Sequence, residues 1–188
     1  MIVDRKLPKK NVVPNVEEIA REMTSSSQIV IIVKRFFRLS VGNMFAFGIN
    51  NLRYLVGIAK KDFAVGVKIL CELELLNLGG VSEIKNRKFH FVLHNQMVDM
   101  AVAVGNRNVI EYYFSLSRLY GFSPGLVTYN IGPLIKLLSE VSDIPSELVI
   151  YTPINIKSVN MNPRYEDVIE YLKNSELKFC NIGGSIKK

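Results

Sequence analysis

The amino-acid sequence predicts an α/β fold whose second half is built from parallel strands that alternate with helices. Two observations carry this prediction. Residues 125–155 contain an apolar run, a helical pattern and a second apolar run, and parallel strands need a helical crossover of this kind. The same alternation extends from residue 89 to residue 181, and a regular alternation of strand and helix is typical of a parallel sheet.

Length and composition indicate one globular α/β domain. The chain has 188 residues, of which 48% are hydrophobic, enough for a substantial core. We divide it into a basic N-terminal arm (1–14), a mixed first half (15–85) and a regular βα half (86–188). No apolar run approaches the roughly 18 residues that span a bilayer, and no secretory signal is evident, so we expect a cytoplasmic protein without a membrane partner.

The two cysteines indicate neither a disulfide framework nor a metal site. Cys71 falls in a predicted helix and Cys180 in a predicted strand, without a CxxC motif or a histidine at metal spacing. We therefore expect both to be small buried residues and predict no metal site. The sequence also lacks a P-loop and a GxGxxG fingerprint, so it names no cofactor.

Positive charge is concentrated in the first half of the chain. Residues 1–90 contain 15 Lys and Arg against 8 Asp and Glu, a net of +7, whereas residues 91–188 contain 9 of each. Such an excess attracts nucleic acid or steers a small anionic metabolite, and it is equally compatible with a solvated basic face.

The first half is predicted to mix helices and strands. Asn15 is a good N-cap for a helix that ends at the serines before Gln28. The β-branched and aromatic run Gln28–Phe37 favours a strand, although a buried helix has the same composition. Met44–Gly48 is predicted to be another short strand. Two helices follow, and the second begins after Asp62 and ends at about Leu78.

The second half gives a clearer pattern. We predict strands at Phe89–Leu93, Leu126–Thr128, Glu147–Tyr151 and Leu177–Asn181, and helices at Asn108–Tyr120, Pro133–Val141 and Pro163–Lys173. These strands are expected to lie parallel and in chain order, because a crossover helix connects each strand to the next.

Residues 52–95 permit an alternative. Two helices followed by VSEI, KNRK and FHFVL have the order of a winged-helix DNA-binding domain, in which a recognition helix enters the major groove and a basic wing contacts phosphate. Glu72 and Glu74 on the second helix count against this alternative, because they would face the phosphates.

Polar residues at the ends of the predicted strands are the candidate site residues. Ligands of parallel α/β folds bind beyond the carboxyl ends of the strands, where each apolar run here changes to hydrogen-bonding residues. His94 and Asp99 are the acid/base candidates, with Asp99 placed either to orient His94 or to act as a base. The residues predicted to bind substrate are Asn95, Asn130, Thr152, Asn155, Asn181, Gly183 and Gly184. Each is also an ordinary turn or cap residue type.

The segments FVLHNQMVD, GLVTYNIGPLIKLL, LVIYTPIN and MNPRYEDVIEYL resemble consecutive βα units of a (β/α)-barrel, or TIM-barrel-like, enzyme, over about residues 89–185. The chain is shorter than the roughly 250 residues of such barrels, so the resemblance implies a shortened or incomplete barrel. It also implies a small-molecule site at the strand ends, with acid/base chemistry of the lyase or isomerase type on an anionic or carbonyl-bearing metabolite.

We also expect a homo-oligomer, most simply a twofold dimer. The apolar segments Ile29–Phe37 and Met44–Phe47 present more aromatic and β-branched surface than a short first half readily buries. The contact is therefore predicted at or near these segments, unless the two following helices cover them within one chain.

Overall fold

The computed structural model describes residues 2–4, 12–13, 28–54, 56–57, 60, 62–78, 89–153, 169–170 and 177–182. Its strands are β1 (Ile2–Asp4), β2 (Val12–Val13), β3 (His90–Leu93), β4 (Ser123–Val127), β5 (Val149–Thr152) and β6 (Lys178–Asn181). Its α-helices are α1 (Gln28–Phe36), α2 (Val41–Asn51), α3 (Phe63–Leu78), α4 (Asn95–Ala103), α5 (Arg107–Tyr120) and α6 (Ile131–Ser139), and a 3-10 turn (Leu52–Tyr54) follows α2.

The strands form one parallel sheet in the order β1-β6-β5-β4-β3-β2. The predicted α/β class and the parallel order of β3, β4, β5 and β6 are therefore confirmed. The central unit is β4-α6-β5, in which Leu134, Leu137 and Leu138 of α6 are buried and Gly125 lies opposite Val149. The helix thus lays its apolar side on the sheet, as its spacing of leucines predicts.

The two faces of the sheet are covered differently. Leu93, Leu126, Ile150 and Phe179 lie in one register row and belong to the main core, together with residues of the helices. The alternating positions form a smaller cluster of Val92, Val127, Tyr151 and Cys180, all buried. Both Cys71 and Cys180 are buried, as predicted, and neither forms a disulfide.

Strand β4 begins three residues earlier than predicted, and it contains a proline. Pro124 precedes the first β4–β5 pair, Gly125 with Val149, so its missing N–H removes no rung of that ladder. On the β3 side, the Tyr113 hydroxyl accepts a hydrogen bond from Gly125 N–H (3.2 Å) and donates one to the Phe91 carbonyl. A buried side chain of α5 thereby links two central strands.

Two strand predictions in the first half are wrong. The run Gln28–Phe37 contains helix α1, which ends at Phe36, and Met44–Gly48 lies inside helix α2, which begins after the Ser40 N-cap. A helical spacing places Ile31 and Arg35 on the same side of α1, where both are buried and Arg35 pairs with Glu74 of α3. The ion pair and the cap favour helices where side-chain propensity alone favoured strands.

Other elements were not anticipated. No strand was predicted in the N-terminal arm, yet it contributes the parallel strands β1 and β2, and helix α4 was missed. The predicted helix from Asn15, the VSEI segment and most of Pro163–Lys173 lie outside the described residues. Helix α3 is confirmed, and Asp62 accepts hydrogen bonds from Ala64 N–H (2.9 Å) and Val65 N–H (3.3 Å) at its start.

The structure gives no support to the winged-helix alternative. Helix α3, which would enter a DNA groove, has ten buried residues, among them Lys68 and Glu72. Strand β3, which would belong to the wing hairpin, pairs in parallel with both β2 and β4. Among the described helices, none combines the length and apolarity that crossing a membrane requires.

Candidate functional site

A row of polar residues lies at the carboxyl edge of the sheet. Thr152 of β5 is in register with Asn181 of β6, and Asn181 with Asp4 of β1. Thr128, directly after β4, continues the row, because its N–H donates to the Tyr151 carbonyl (2.9 Å). The exposed fractions of Thr128, Thr152 and Asn181 are 0%, 2% and 2%. Four neighbouring strands thus end in polar residues at the same level.

Asp99 of helix α4 joins this row through the loop that follows β4. Its Oδ1 accepts a hydrogen bond from the Thr128 hydroxyl (2.6 Å) and its Oδ2 accepts one from Tyr129 N–H (3.2 Å). The Thr128 oxygen in turn accepts from Asn130 N–H (2.9 Å). The carboxylate therefore fixes the β4–α6 loop, and each of its oxygens retains a lone pair for a further donor.

His94 and Asn95 lie at the same edge, at the start of α4. His94 is the N-cap residue, and its Nδ1 accepts a hydrogen bond from Gln96 N–H (3.2 Å). A neutral imidazole bound in this way carries its proton on Nε2. Asn95 is the first residue of the helix and is half-buried.

The proposed orientation of His94 by Asp99 does not match this geometry. The two residues are five positions apart on α4, which corresponds to a rotation of about 140° and a rise of about 7.5 Å. The two oxygens of Asp99 instead hold Thr128 and Tyr129. Asp99 positions the neighbouring loop, so His94 and Asp99 are separate groups.

The remaining predicted residues divide into three groups. Thr152 and Asn181 are brought together as register partners, whereas Asn130 is exposed before α6 and makes no side-chain cap bond to that helix. Asn155, Gly183 and Gly184 lie outside the described residues.

Comparison with known proteins gives no match. No protein-family model, no curated protein and no solved structure is similar to this chain. In the described part of the chain, the acidic, histidine and cysteine side chains form no group of three or more that suits a metal ion. The chemistry of the edge therefore has to be argued from its own residues.

A second polar cluster lies inside the helical layer and was not predicted. Glu72 of α3 is fully buried and accepts four hydrogen bonds. Its Oε1 accepts from the Tyr120 hydroxyl (2.7 Å) and from Asn50 Nδ2 (3.3 Å), and its Oε2 accepts from Lys68 Nζ (2.6 Å) and Asn51 Nδ2 (2.9 Å). We call this set of five residues the Glu72 network.

The Glu72 network is largely buried. Four of its members are buried, Asn50 is half-buried, and each makes at least one hydrogen bond. Lys68 also donates to Asn51 Oδ1 (2.6 Å) and lies 4.4 Å from the centre of the Tyr54 ring. Burial lowers the pKa of Lys68, and the Glu72 charge opposes that change. Burial raises the pKa of the Tyr120 hydroxyl, and the neighbouring Glu72 charge raises it further. These properties indicate a structural role, which the i, i+4 spacing of Lys68 and Glu72 in a mostly apolar helix could have indicated.

His90 is a further missed residue, on the other face of the sheet and at the opposite end of β3. Its ring packs against Tyr151, with 5.5 Å between ring centroids, and its buried Nε2 has no hydrogen-bond partner among the described residues. A Cβ atom at Gly125 would lie 2.7 Å from that nitrogen, so the glycine makes room for the ring. Burial lowers the pKa of His90, against a hydrogen bond with the Ser123 backbone that raises it.

Proposed function

We propose that the chain binds a small anionic or carbonyl-bearing metabolite at the carboxyl edge of its sheet. The observation that carries the proposal is the buried row of Thr128, Thr152 and Asn181. Burying polar side chains costs free energy unless each finds hydrogen-bond partners. A row of them at the edge where parallel α/β domains bind their ligands supports a ligand site.

The residue types at this edge indicate which hydrogen-bonding groups the proposed ligand carries. The Asn181 amide has two N–H donors suited to a carbonyl or carboxylate oxygen, and Thr152 has a hydroxyl that donates or accepts. Asp99 retains acceptor capacity for a ligand hydroxyl or ammonium group. The proposed ligand therefore combines an oxygen acceptor with at least one donor. The net charge of +7 favours the approach of an anion.

We extend the proposal to acid/base chemistry of the lyase or isomerase type, with His94 as the proton-transfer group. Its Nε2 is the nitrogen that carries the proton once Nδ1 is engaged by Gln96. An imidazole exchanges that proton near neutral pH. Asp99 is the second candidate base, and it also positions Thr128.

The architecture we propose for this function is a shortened (β/α)-barrel. The sheet order follows chain order from β2 to β6, with β1 beside β6, so β1 and β2 are the two edges. The small cluster of Val92, Val127, Tyr151 and Cys180 would then face the barrel interior. A flat sheet of six strands holds its edges about 24 Å apart, whereas a curled one brings them within about 10 Å. Spin labels at Asp4→Cys and Val13→Cys distinguish these spacings, and a long distance would contradict the barrel.

A thermal-shift screen with a library of small metabolites tests the ligand site. We expect at least one anionic or carbonyl-bearing compound to raise the melting temperature of the wild type. The shift should disappear in Thr152→Val and Asp99→Asn, because each substitution keeps the shape of the side chain and changes its hydrogen bonding.

The matched control is Ser123→Ala, a change of similar size at the opposite end of β4, which should keep the full shift. His94→Asn keeps a good N-cap and removes the imidazole, so it should retain binding and lose catalysis. Equal shifts in Thr152→Val, Asp99→Asn and Ser123→Ala would place the ligand elsewhere and refute the proposal. Binding of duplex DNA with a steep salt dependence, without any metabolite hit, would instead favour nucleic acid as the partner.

A further inference from the structure

Helix α2 turns its asparagines toward the domain, beside the buried Phe47. Its inward face carries three asparagines, Asn43, Asn50 and Asn51. Asn43 Nδ2 donates to the Leu76 carbonyl (3.0 Å), and the other two belong to the Glu72 network. A surface helix of a globular domain normally turns its apolar side inward. The polar side of α2 is already used by the domain itself.

The outward face of α2 and its neighbours is apolar. Val41, Phe45 and Ile49 follow one another at intervals of four residues and are 84%, 73% and 58% exposed. Leu52 continues the line at 64%, and Val33 and Phe37 of the preceding segment extend it at 45% and 70%. We call these six residues the α1–α2 stripe. Single exposed apolar residues are ordinary, but six that recur every three or four positions from Val33 to Leu52 are not.

The exposed apolar area of the α1–α2 stripe is large enough for a protein–protein interface. Taking about 200 Å² for an aromatic side chain and about 100 Å² for an aliphatic one, the exposed fractions give roughly 500 Å² per chain. This value is near the upper end for the largest apolar patch of a monomer. Two copies in contact would bury on the order of 1,000 Å² from the stripe alone, which is about the minimum for a specific interface.

The distribution of charge around the stripe limits which surfaces can pack against it. Residues 39–52 contain no charged residue, so the middle of the stripe can lie against an identical surface without burying a charge. Cations lie at both ends, Lys34 and Arg38 before α2 and Arg53 and Lys60 after it, all exposed. Residues 28–61 contain no Asp or Glu at all.

We infer that the α1–α2 stripe is the interface of a twofold homodimer, in which α2 packs antiparallel against α2 of a second copy. A twofold axis near the middle of α2 pairs the apolar, uncharged stretch with itself and closes the assembly. Gly42 and Gly48 have open space where a Cβ would lie, so a neighbouring helix can approach closely. The same axis brings the cationic ends of the two copies together, and their repulsion is screened by salt.

Sedimentation equilibrium over the micromolar range, at low and at high salt, tests this interface. We expect a monomer–dimer equilibrium that becomes tighter as salt is added. Phe45→Ser and Ile49→Ser should each weaken it by about 100-fold, because a tenfold loss per copy counts twice across a twofold axis. Both side chains are exposed, so the circular dichroism spectrum and the melting temperature of the dilute monomer should stay unchanged.

The matched control is Met100→Ser, since Met100 lies on α4 and is 52% exposed. It should leave the dimer unaffected. A monomer at every concentration in both salts would overturn the inference, and so would a dimer that Met100→Ser weakens as much as the stripe variants do. Flotation with vesicles containing anionic phosphatidylserine tests whether the α1–α2 stripe binds a membrane surface instead of a second copy. Vesicle binding that needs Phe45, falls with added salt and occurs without dimerisation would assign the stripe to a membrane surface instead.

Discussion

Replacing Glu72 by leucine measures how much the Glu72 network stabilises the fold. The substitution leaves Lys68 buried, at 4% exposure, without its counter-charge. Removing one partner of a buried ion pair costs about 3–5 kcal/mol. The cost of the unpaired Lys68 charge has an upper bound, because the side chain can instead release its proton. Deprotonating a lysine at pH 7 costs about 4.6 kcal/mol. The Tyr120 hydroxyl also loses its acceptor, for about 1–3 kcal/mol. We therefore expect a total loss of about 4–8 kcal/mol, a large part of the 5–15 kcal/mol typical of a domain.

The pH dependence of the stability lost in Glu72→Leu tests whether the buried Lys68 is its cause. Burial already lowers the pKa of Lys68, and without Glu72 nothing of comparable strength opposes that change. The folded variant then holds a neutral Lys68 where the unfolded chain holds a protonated one. Because the unfolded state binds more protons, the stability of the variant should rise relative to wild type by up to about 1.4 kcal/mol per pH unit above pH 7, until the ordinary lysine pKa is reached.

Urea unfolding followed by circular dichroism gives the free energy of unfolding, provided that the m-value is unchanged. Lys68→Met combined with Glu72→Leu should cost about 2–3 kcal/mol less than the sum of the two single variants. Glu140→Leu, at an exposed position, is the control and should stay within about 0.5 kcal/mol of wild type. Additive single variants, together with a pH-independent loss, would refute the reasoning.

Three further predictions concern buried groups. Because burial lowers the pKa of His90, the unfolded chain binds a proton in acid that the folded chain does not. The free energy of unfolding should therefore be highest above about pH 6.5 and fall below it. Urea unfolding at pH 7.5 and pH 5.5 should show this fall, His90→Leu should reduce it, and an undiminished fall in the variant would contradict the assignment. Gly125→Ala should cost about 1–3 kcal/mol in thermal unfolding, because its new methyl group meets the imidazole, and His90→Ala should relieve part of that cost. Burial raises the pKa of the Cys71 thiol to about 12, so Cys71 should not react with a thiol reagent at pH 8 until urea unfolds the chain; fast labelling of the native protein would disprove this.

Most of the second half of the fold could be predicted, because the pattern that indicates each element lies within that element. The leucines of α6 and the apolar runs of β3 to β6 each indicate their own element, and their alternation determines the sheet. The first half could not be predicted in the same way. The composition of residues 28–48 favours strands, whereas its structure depends on distant partners, Glu74 for Arg35 and Glu72 for the asparagines of α2.

The candidate site was predictable in its position and not in its contacts. Polar residues after apolar runs identified Thr152 and Asn181, which the register brings together. The pairing of His94 with Asp99 was not justified, because His94 is the N-cap of a missed helix, α4, that contains Asp99, and the helix geometry turns them to different sides. Thr128 was visible as a strand end, but its hydrogen bond to Asp99 joins residues 29 positions apart. Nothing in a local pattern indicates such a bond.

The pairing of β1 with β6 determines when the sheet can be completed during synthesis. Ile2 lies opposite Phe179, 177 positions later in the chain. At the usual 5–20 residues per second, a ribosome needs roughly 10–35 s to make the intervening segment. Strand β1 has to wait for its partner throughout this interval. Such a distant contact is expected to form late and to slow folding, because the intervening chain must be ordered before the two strands meet.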